Sequence, residues 1–206
     1  MPRGRPPART RTEVVAAAVA IADAEGLDAL TMRRLAAELG AGPMSLYTYV
    51  RDKEELVDLM VDHVSDYDGP PAPTLLHLAT WQRDLMLRHP WLPTAVPGRS
   101  LQGPNMLGFL ERGLAALAGT GLPGPAKMEI LALVTGFVVG YVTHELAQAR
   151  AGVTAPEQVA AQVDRLRAAI ATGAYPELAA VLAEGGSEAP PSFEDVAARM
   201  ITGLVG

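Results

Sequence analysis

From Pro43 to Val50 the chain reads Pro-Met-Ser-Leu-Tyr-Thr-Tyr-Val, a short run with few residues of the kind a core requires. At about 100° per residue Leu46 and Val50 share an inward face, which leaves Met44, Ser45 and Thr48 outward with Tyr47 and Tyr49 on the flanks. Hydroxyls of that kind exchange hydrogen bonds with base edges, a Met or Thr methyl can touch a thymine methyl, and Tyr hydroxyls reach phosphates. The chemistry implied is the reading of a nucleic-acid duplex. Arg33, upstream, adds a guanidinium for a guanine edge or a phosphate, whereas Arg34 reads as a backbone contact or a solvated charge. Lys53 stands where an ammonium and nearby backbone N–H groups can hold a phosphate. Arg3, Arg5, Arg9 and Arg11 fall within eleven residues free of acids, in a Pro/Gly setting, which is the composition of a basic arm or of a solvated tail.

A second group of residues could form a ligand pocket. Trp81, Met86, Trp91, Met106, Phe109, Phe137 and Tyr141 are large apolar or aromatic groups, and Gln82, His144 and Glu145 are polar anchors among them. Each would serve equally well as plain core. "HELAQ" at His144 to Gln148 lacks the second histidine of a zinc hydrolase, because position 148 is Gln. His63, His77, His89 and His144 show no ligand spacing, and no nucleophile–base grouping or phosphate-cradling glycine loop occurs. The expectation is therefore no enzyme, no metal and no cofactor, with an enzyme or carrier using a C-terminal cavity as the alternative. A DNA-binding protein governed by another protein is a third reading.

The elements that must position these groups are helical. Val15, Val19 and Ala22 recur at helical spacing over Thr12 to Glu25, with Gly26 as the stop. Thr31 caps a second helix, Met32 to Leu39, which Gly40 ends; Pro43 opens the third; Asp52 caps the fourth, Lys53 to Tyr67. Two short helices joined by a glycine-containing turn make a helix-turn-helix, and an ordinary helix corner is the competing interpretation. "YDGPPAP", Tyr67 to Pro73, cannot continue a helix and marks a domain boundary, giving a head over 1–67 and a larger bundle over 74–206. Helical patterns follow at Thr74 to Arg88, Pro104 to Ala118, Pro125 to Arg150, Pro156 to Thr172, Pro176 to Ala183 and Phe193 to Val205. With neither a repeat nor a convincing strand, the fold class is all-α.

Charge is segregated along the chain. Residues 1–53 carry eight Arg/Lys against six Asp/Glu, net +2, and the remainder nine against seventeen, net −8, which together make the overall −6. The cationic end coincides with the duplex-reading segment. The absence of cysteine fits a reducing cytoplasm. No signal segment or run of about 18 uninterrupted apolar residues is evident, so the expectation is a cytoplasmic protein that does not span a membrane.

The stretch "ALTMRRLAAELGAGPMSLYTYVRDKEELVDLM", Ala29 to Met60, resembles the DNA-binding head of the tetracycline-repressor (TetR) family through Leu30, Thr31, Arg33, Arg34, Leu35, Ala36, Leu39, Gly40, Leu46, Tyr47, Val50, Lys53 and Leu56. "LRHPWL", "LERGLAALAGTGL" and "TGFVVGYVTHELAQ" are similar, more loosely, to the C-terminal domain of that type. The resemblance implies a homodimer, an operator of double-stranded DNA contacted by a head on each subunit, and a small apolar or aromatic effector that controls repression. It implies Arg33, Ser45, Tyr47, Thr48, Tyr49 and Lys53 as base or phosphate contacts, to which the reading of the residues themselves adds Arg9, Arg11, Thr31 and Met44; Pro43 and Met44 depart enough from the family pattern that the operator sequence does not transfer. "TAVPGRS" offers no histidine for a metal-chelated drug, which speaks against tetracycline itself. The expected dimer face uses Pro125 to Arg150 and Phe193 to Val205, through Leu131, Val134, Gly136, Val138, Gly140, Val196, Met200 and Leu204, with intrachain core as the rival role.

Overall fold

The computed structural model describes residues 9–99, 103–151, 156–183 and 191–206, so Arg3 and Arg5 of the basic arm lie outside the described residues. All regular structure among the described residues is helical. The head comprises α1 (Arg11–Glu25), α2 (Met32–Glu38), α3 (Pro43–Leu46) and α4 (Lys53–Val64). Thr10 opens α1 in a capping box with Glu13, and Thr31 and Asp52 cap α2 and α4 by accepting from the N–H groups of Arg34 and Glu55. Helix α2 closes with the N–H of Gly40 on the Ala37 carbonyl and that of Ala41 on the Ala36 carbonyl. Gly40 takes φ 59°, a left-handed conformation that lets the chain reverse into α3. Val14, Ala18, Leu30, Leu35, Leu46, Val50, Leu56 and Met60 fill the head's interior.

The body comprises α5 (Leu75–Arg88), α6 (Leu92–Ala95), α7 (Pro104–Ala116), α8 (Gly124–Ala151), α9 (Pro156–Ala171), α10 (Pro176–Ala183) and α11 (Phe193–Val205). Helix α6, a single turn started by Pro93 in its first turn, has no counterpart in the sequence-based division, which saw only that prolines interrupt this region. Helix α3 is shorter than the spacing predicts, because after Leu46 the backbone tightens so that Thr48 and Tyr49 donate to carbonyls three residues back. Helix α8 packs along α5, and Leu78, Ala79, Leu85, Ile130, Leu131, Val134, Val138 and Val142 form their shared core with Phe193 and Ala197 of α11. Within Gly124–Arg150 an 18-residue stretch reaches a mean hydropathy of 1.6, long and apolar enough by composition to cross a membrane, yet the helix's inward face is protein core.

Three crossings fix the body's geometry. Arg83 of α5 makes a two-bonded fork to Glu145 of α8, at 2.9 and 2.6 Å, and the guanidinium also lies over the Phe193 ring. That partner raises the Arg83 pKa further. Phe193 stacks on Phe137 and meets Tyr141 edge-on, which pins α11 to α8. Gln82 donates to Thr135 at 3.2 Å between α5 and α8.

Candidate nucleic-acid interface and effector cavity

The segment after the Gly40 turn presents its polar groups outward on a buried footing. Leu46 and Val50 are sealed in the head core, whereas Met44 is 79% exposed and Tyr47 47% exposed, with Ser45 and Thr48 also exposed and Tyr49 half-buried. The Ser45 hydroxyl donates to the Gly42 carbonyl and that of Thr48 to the Ser45 carbonyl, both at 2.6 Å. Both hydroxyl protons are therefore engaged locally, while each oxygen keeps the capacity to accept a hydrogen bond.

The cationic groups divide into those held by the head and those left available. Arg9 and Arg33 are exposed with no hydrogen-bond partner among the described residues. Arg34 instead bonds Glu25 and Glu38, which raises its pKa and leaves it a brace between α1 and α2. Arg11 is paired with Glu55 at 2.6 Å, and Lys53 Nζ lies 3.4 Å from the Leu27 carbonyl, so each has an intramolecular partner that a phosphate would have to replace. The Thr31 hydroxyl oxygen already accepts the Arg34 N–H as the α2 cap. Glu55 accepts the Arg51 backbone N–H at 2.6 Å and its guanidinium at 3.1 Å, and these bonds, the backbone one first, hold its carboxyl below the usual carboxylate range.

Inside the body a cavity of about 60 Å³ is lined chiefly by apolar side chains. Trp81, Gln82, Met86, Met106 and Phe109 come together there, joined by Leu85, Leu92, Val96, Leu110 and Thr135. Val61 of α4 and Ser65, its C-cap, complete the wall, so a helix of the head also bounds the cavity. Trp81 and Phe109 stack with ring centres 5.5 Å apart, and the Trp81 N–H is drawn outward to Asp68 at 2.9 Å. Tyr67 lies edge-on to Trp81, and burial raises the pKa of its hydroxyl.

The other sequence-chosen ligand residues lie elsewhere. Trp91 turns away from the cavity and bonds Asp23 of α1, because the adjacent Leu92 takes the inward position. Phe137 and Tyr141 belong to the aromatic cluster around Phe193, Glu145 is held by Arg83, and His144 is exposed beside Gln148 at 2.9 Å. The contributors from the end of α4 are not evident in the sequence because a helix of the head meets the body here, and Leu92 is not because α6 is a single turn between prolines. The one available signal was that Val57, Val61 and Ser65 continue a single helical face beyond what the head needs.

The residues expected at the subunit face divide between the interior of the chain and its surface. Leu131, Val134 and Val138 are 7%, 3% and 0% exposed within one chain, where α8 packs on α5 and α7, so almost none of their surface is left for a partner. Gly136 and Gly140 do lie on the open side of α8, with no atom within 4 Å of an added Cβ, alongside the exposed Met128, Ala132 and Leu133. Val196, Met200 and Leu204 on α11 are half-buried. Among the described residues no group of three or more His, Asp or Glu side chains could hold a metal ion.

Comparison with known proteins matches residues 14–60 to the profile of the bacterial regulatory proteins of the tetR family, and residues 72–205 to the tetracyclin repressor-like C-terminal domain. The HTH-type transcriptional repressor DrrR1 of Streptomyces coeruleorubidus is 40% identical over 191 residues, covering 87% of this chain and 71% of that protein. Apo ActR from Streptomyces coelicolor is 30% identical with a TM-score of 0.77, over 96% of this chain and 95% of ActR. BioQ bound to its natural double-stranded DNA operator is 26% identical with a TM-score of 0.60, over 68% of this chain and 90% of BioQ. With the two domain profiles together spanning most of its length, the chain belongs to the TetR family of DNA-binding transcriptional regulators.

Proposed function

We propose that the protein is a cytoplasmic homodimeric repressor that binds a palindromic operator through its two heads and lets go when a small apolar or aromatic molecule enters the body cavity. The observation that carries this reading is the double duty of α4. Leu56, Val57 and Met60 anchor it in the head core, while Val61 and Ser65 wall the cavity. Ligand sites that enclose a drug-sized molecule are about 300–1,000 Å³, several times the space available here, so an occupant must displace the walls. Moving α4 moves the head. A molecule that favours the displaced arrangement lowers DNA affinity by its differential binding to the two states. Two heads shifted from a spacing of roughly 34 Å can no longer contact successive major grooves together.

DrrR1, a repressor by name, supports negative control, and the solved complex of ActR with actinorhodin supports a small-molecule effector. Arg9, Arg33, Met44, Ser45, Tyr47, Thr48 and Tyr49 form the proposed DNA surface, with Arg11, Lys53 and Thr31 joining if they exchange their internal partners for phosphates. The open side of α8, through Gly136, Gly140 and Leu133, and the α11 residues Val196, Met200 and Leu204 form the proposed subunit face. Its work is binding, not catalysis.

Selection of bound duplexes from a random pool, followed by affinity measurements at graded salt, tests this reading. Affinity should fall steeply with salt, because neutralised phosphates release counterions. Tyr47→Phe and Lys53→Ala should weaken binding to all duplexes, whereas Ser45→Ala and Thr48→Ala should change preference among them by about 1–3 kcal/mol. If all four variants bind like the parent, the reading surface lies elsewhere.

A further inference from the structure

We propose that Asp23 of α1, held by Trp91 and His89 at the junction of α5 and α6, is a positioning residue that sets the angle of the DNA head on the body; this rests on the regulator reading above. One carboxylate oxygen, Asp23 Oδ1, accepts the Trp91 indole N–H at 2.7 Å. The same oxygen lies 2.8 Å from His89 Nδ1, and a carboxylate acceptor requires that ring nitrogen to carry the proton. The Trp91 ring is buried and meets His89 edge-on, so packing as well as Asp23 holds the two donors in place. Among the described residues these are the only side-chain hydrogen bonds that join α1 to the body.

The two sides of the head–body joint differ. Along α4 the contact is close: Asp62 accepts the Met106 backbone N–H at 3.0 Å, Asn105 donates to the Asp62 carbonyl at 2.9 Å, and Arg99 grips Glu54 and Asp58. At the end of α1, by contrast, a cleft of about 810 Å³ separates Gly26 and Asp28 from Pro90, Pro93 and Leu146. A head held along one helix and open at another has one soft motion, rocking about α4, which widens or narrows that cleft. The bonds to Asp23 span the cleft and oppose the motion. Their donors are also coupled to the cavity, because Leu92, the residue after Trp91, forms part of its wall. Displacement of α6 by an occupant therefore acts on the head through α1 as well as through α4.

The test compares one duplex carrying both half-sites, taken from the selection, with the same duplex in which one half is scrambled, and with versions in which the spacing between halves is changed. Trp91→Phe keeps a ring and removes the donor; Asp23→Asn keeps the shape and an acceptor oxygen. Trp91→Phe should weaken two-half-site binding about tenfold, the size of one hydrogen bond to a charged group. One-half-site binding should stay unchanged, and the spacing optimum should broaden because the heads are less constrained. Asp23→Asn should show the same pattern with a smaller loss. Equal weakening on both duplexes would mean damage to the head itself, and an unchanged spacing optimum would mean that Asp23 does not set the angle; either result overturns the proposal. Failure of the parent to bind any duplex would instead overturn the regulator reading, and the positioning role with it.

Discussion

Head and body close their apolar surfaces to different degrees. In the head the exposed large hydrophobic side chains are Met44 and Tyr47, both on the face proposed to meet DNA, and the remaining large aliphatics are buried or packed against the core. In the body Leu107, Met128, Leu133, Val163, Leu166, Tyr175, Leu178, Val181 and Leu182 are all exposed, many of them along α8, α9 and α10. A unit of about 55 residues that hides nearly all its large aliphatics is complete as one copy. A body that leaves a glycine-lined helix face and a row of aliphatics in water is built to be covered, as a twin subunit would cover α8.

The head's self-sufficiency can be broken at Leu56, a fully buried residue of α4, the helix that packs on α1. Leu56→Ala should cost about 2–5 kcal/mol, as large-to-small changes in closed cores do. Urea denaturation should show the loss, and binding to every duplex should fall with it. A loss well under 1 kcal/mol would mean that the head depends on something outside its own core.

The body's incompleteness can be sharpened at Gly136. An added Cβ there meets nothing in the single chain, and glycine in mid-helix is disfavoured by about 1 kcal/mol relative to alanine. Gly136→Leu should therefore leave a lone subunit folded, or slightly more stable. If a twin helix packs against this face, the same change should weaken dimerisation about 100-fold, roughly 2.7 kcal/mol, in sedimentation equilibrium. An unchanged dimer would move the subunit face off α8.

What was legible in the sequence follows the same division. Local signals, such as Thr31 and Asp52 as caps, Gly40 as the turn and the Leu46/Val50 pair, specify the head, because each acts over a few residues. The cavity was half legible: Trp81, Gln82, Met86, Met106 and Phe109 converge, but whether an aromatic residue points inward depends on long-range packing. Trp91 and Phe137 look equivalent to these in sequence, yet one bonds a head carboxylate and the other stacks on Phe193. On α8 the periodicity locates an apolar stripe correctly but cannot say which neighbour covers it, so Leu131, Val134 and Val138 fit intrachain core and subunit face equally well until α5 is placed.

The smallest expected effect concerns how the head fastens its basic end. Glu55 joins Arg11 at the start of α1 to Arg51 before α4, and its carboxyl titrates below the ordinary range because Arg51's backbone N–H and guanidinium bond the charged form. A group whose pKa is lower folded than unfolded contributes stability above its unfolded value, about 4.3 for Glu, and loses it as pH falls through the folded value. Glu55→Gln removes that titration. Melting temperatures should thus be higher for the parent at pH 7, and the gap should close on acidification below about pH 4.3. High salt should narrow the gap at pH 7, since the pairs are solvent-accessible. A gap that persists unchanged into acid would assign Glu55's contribution to packing, and the head's basic end would then be fastened without help from charge.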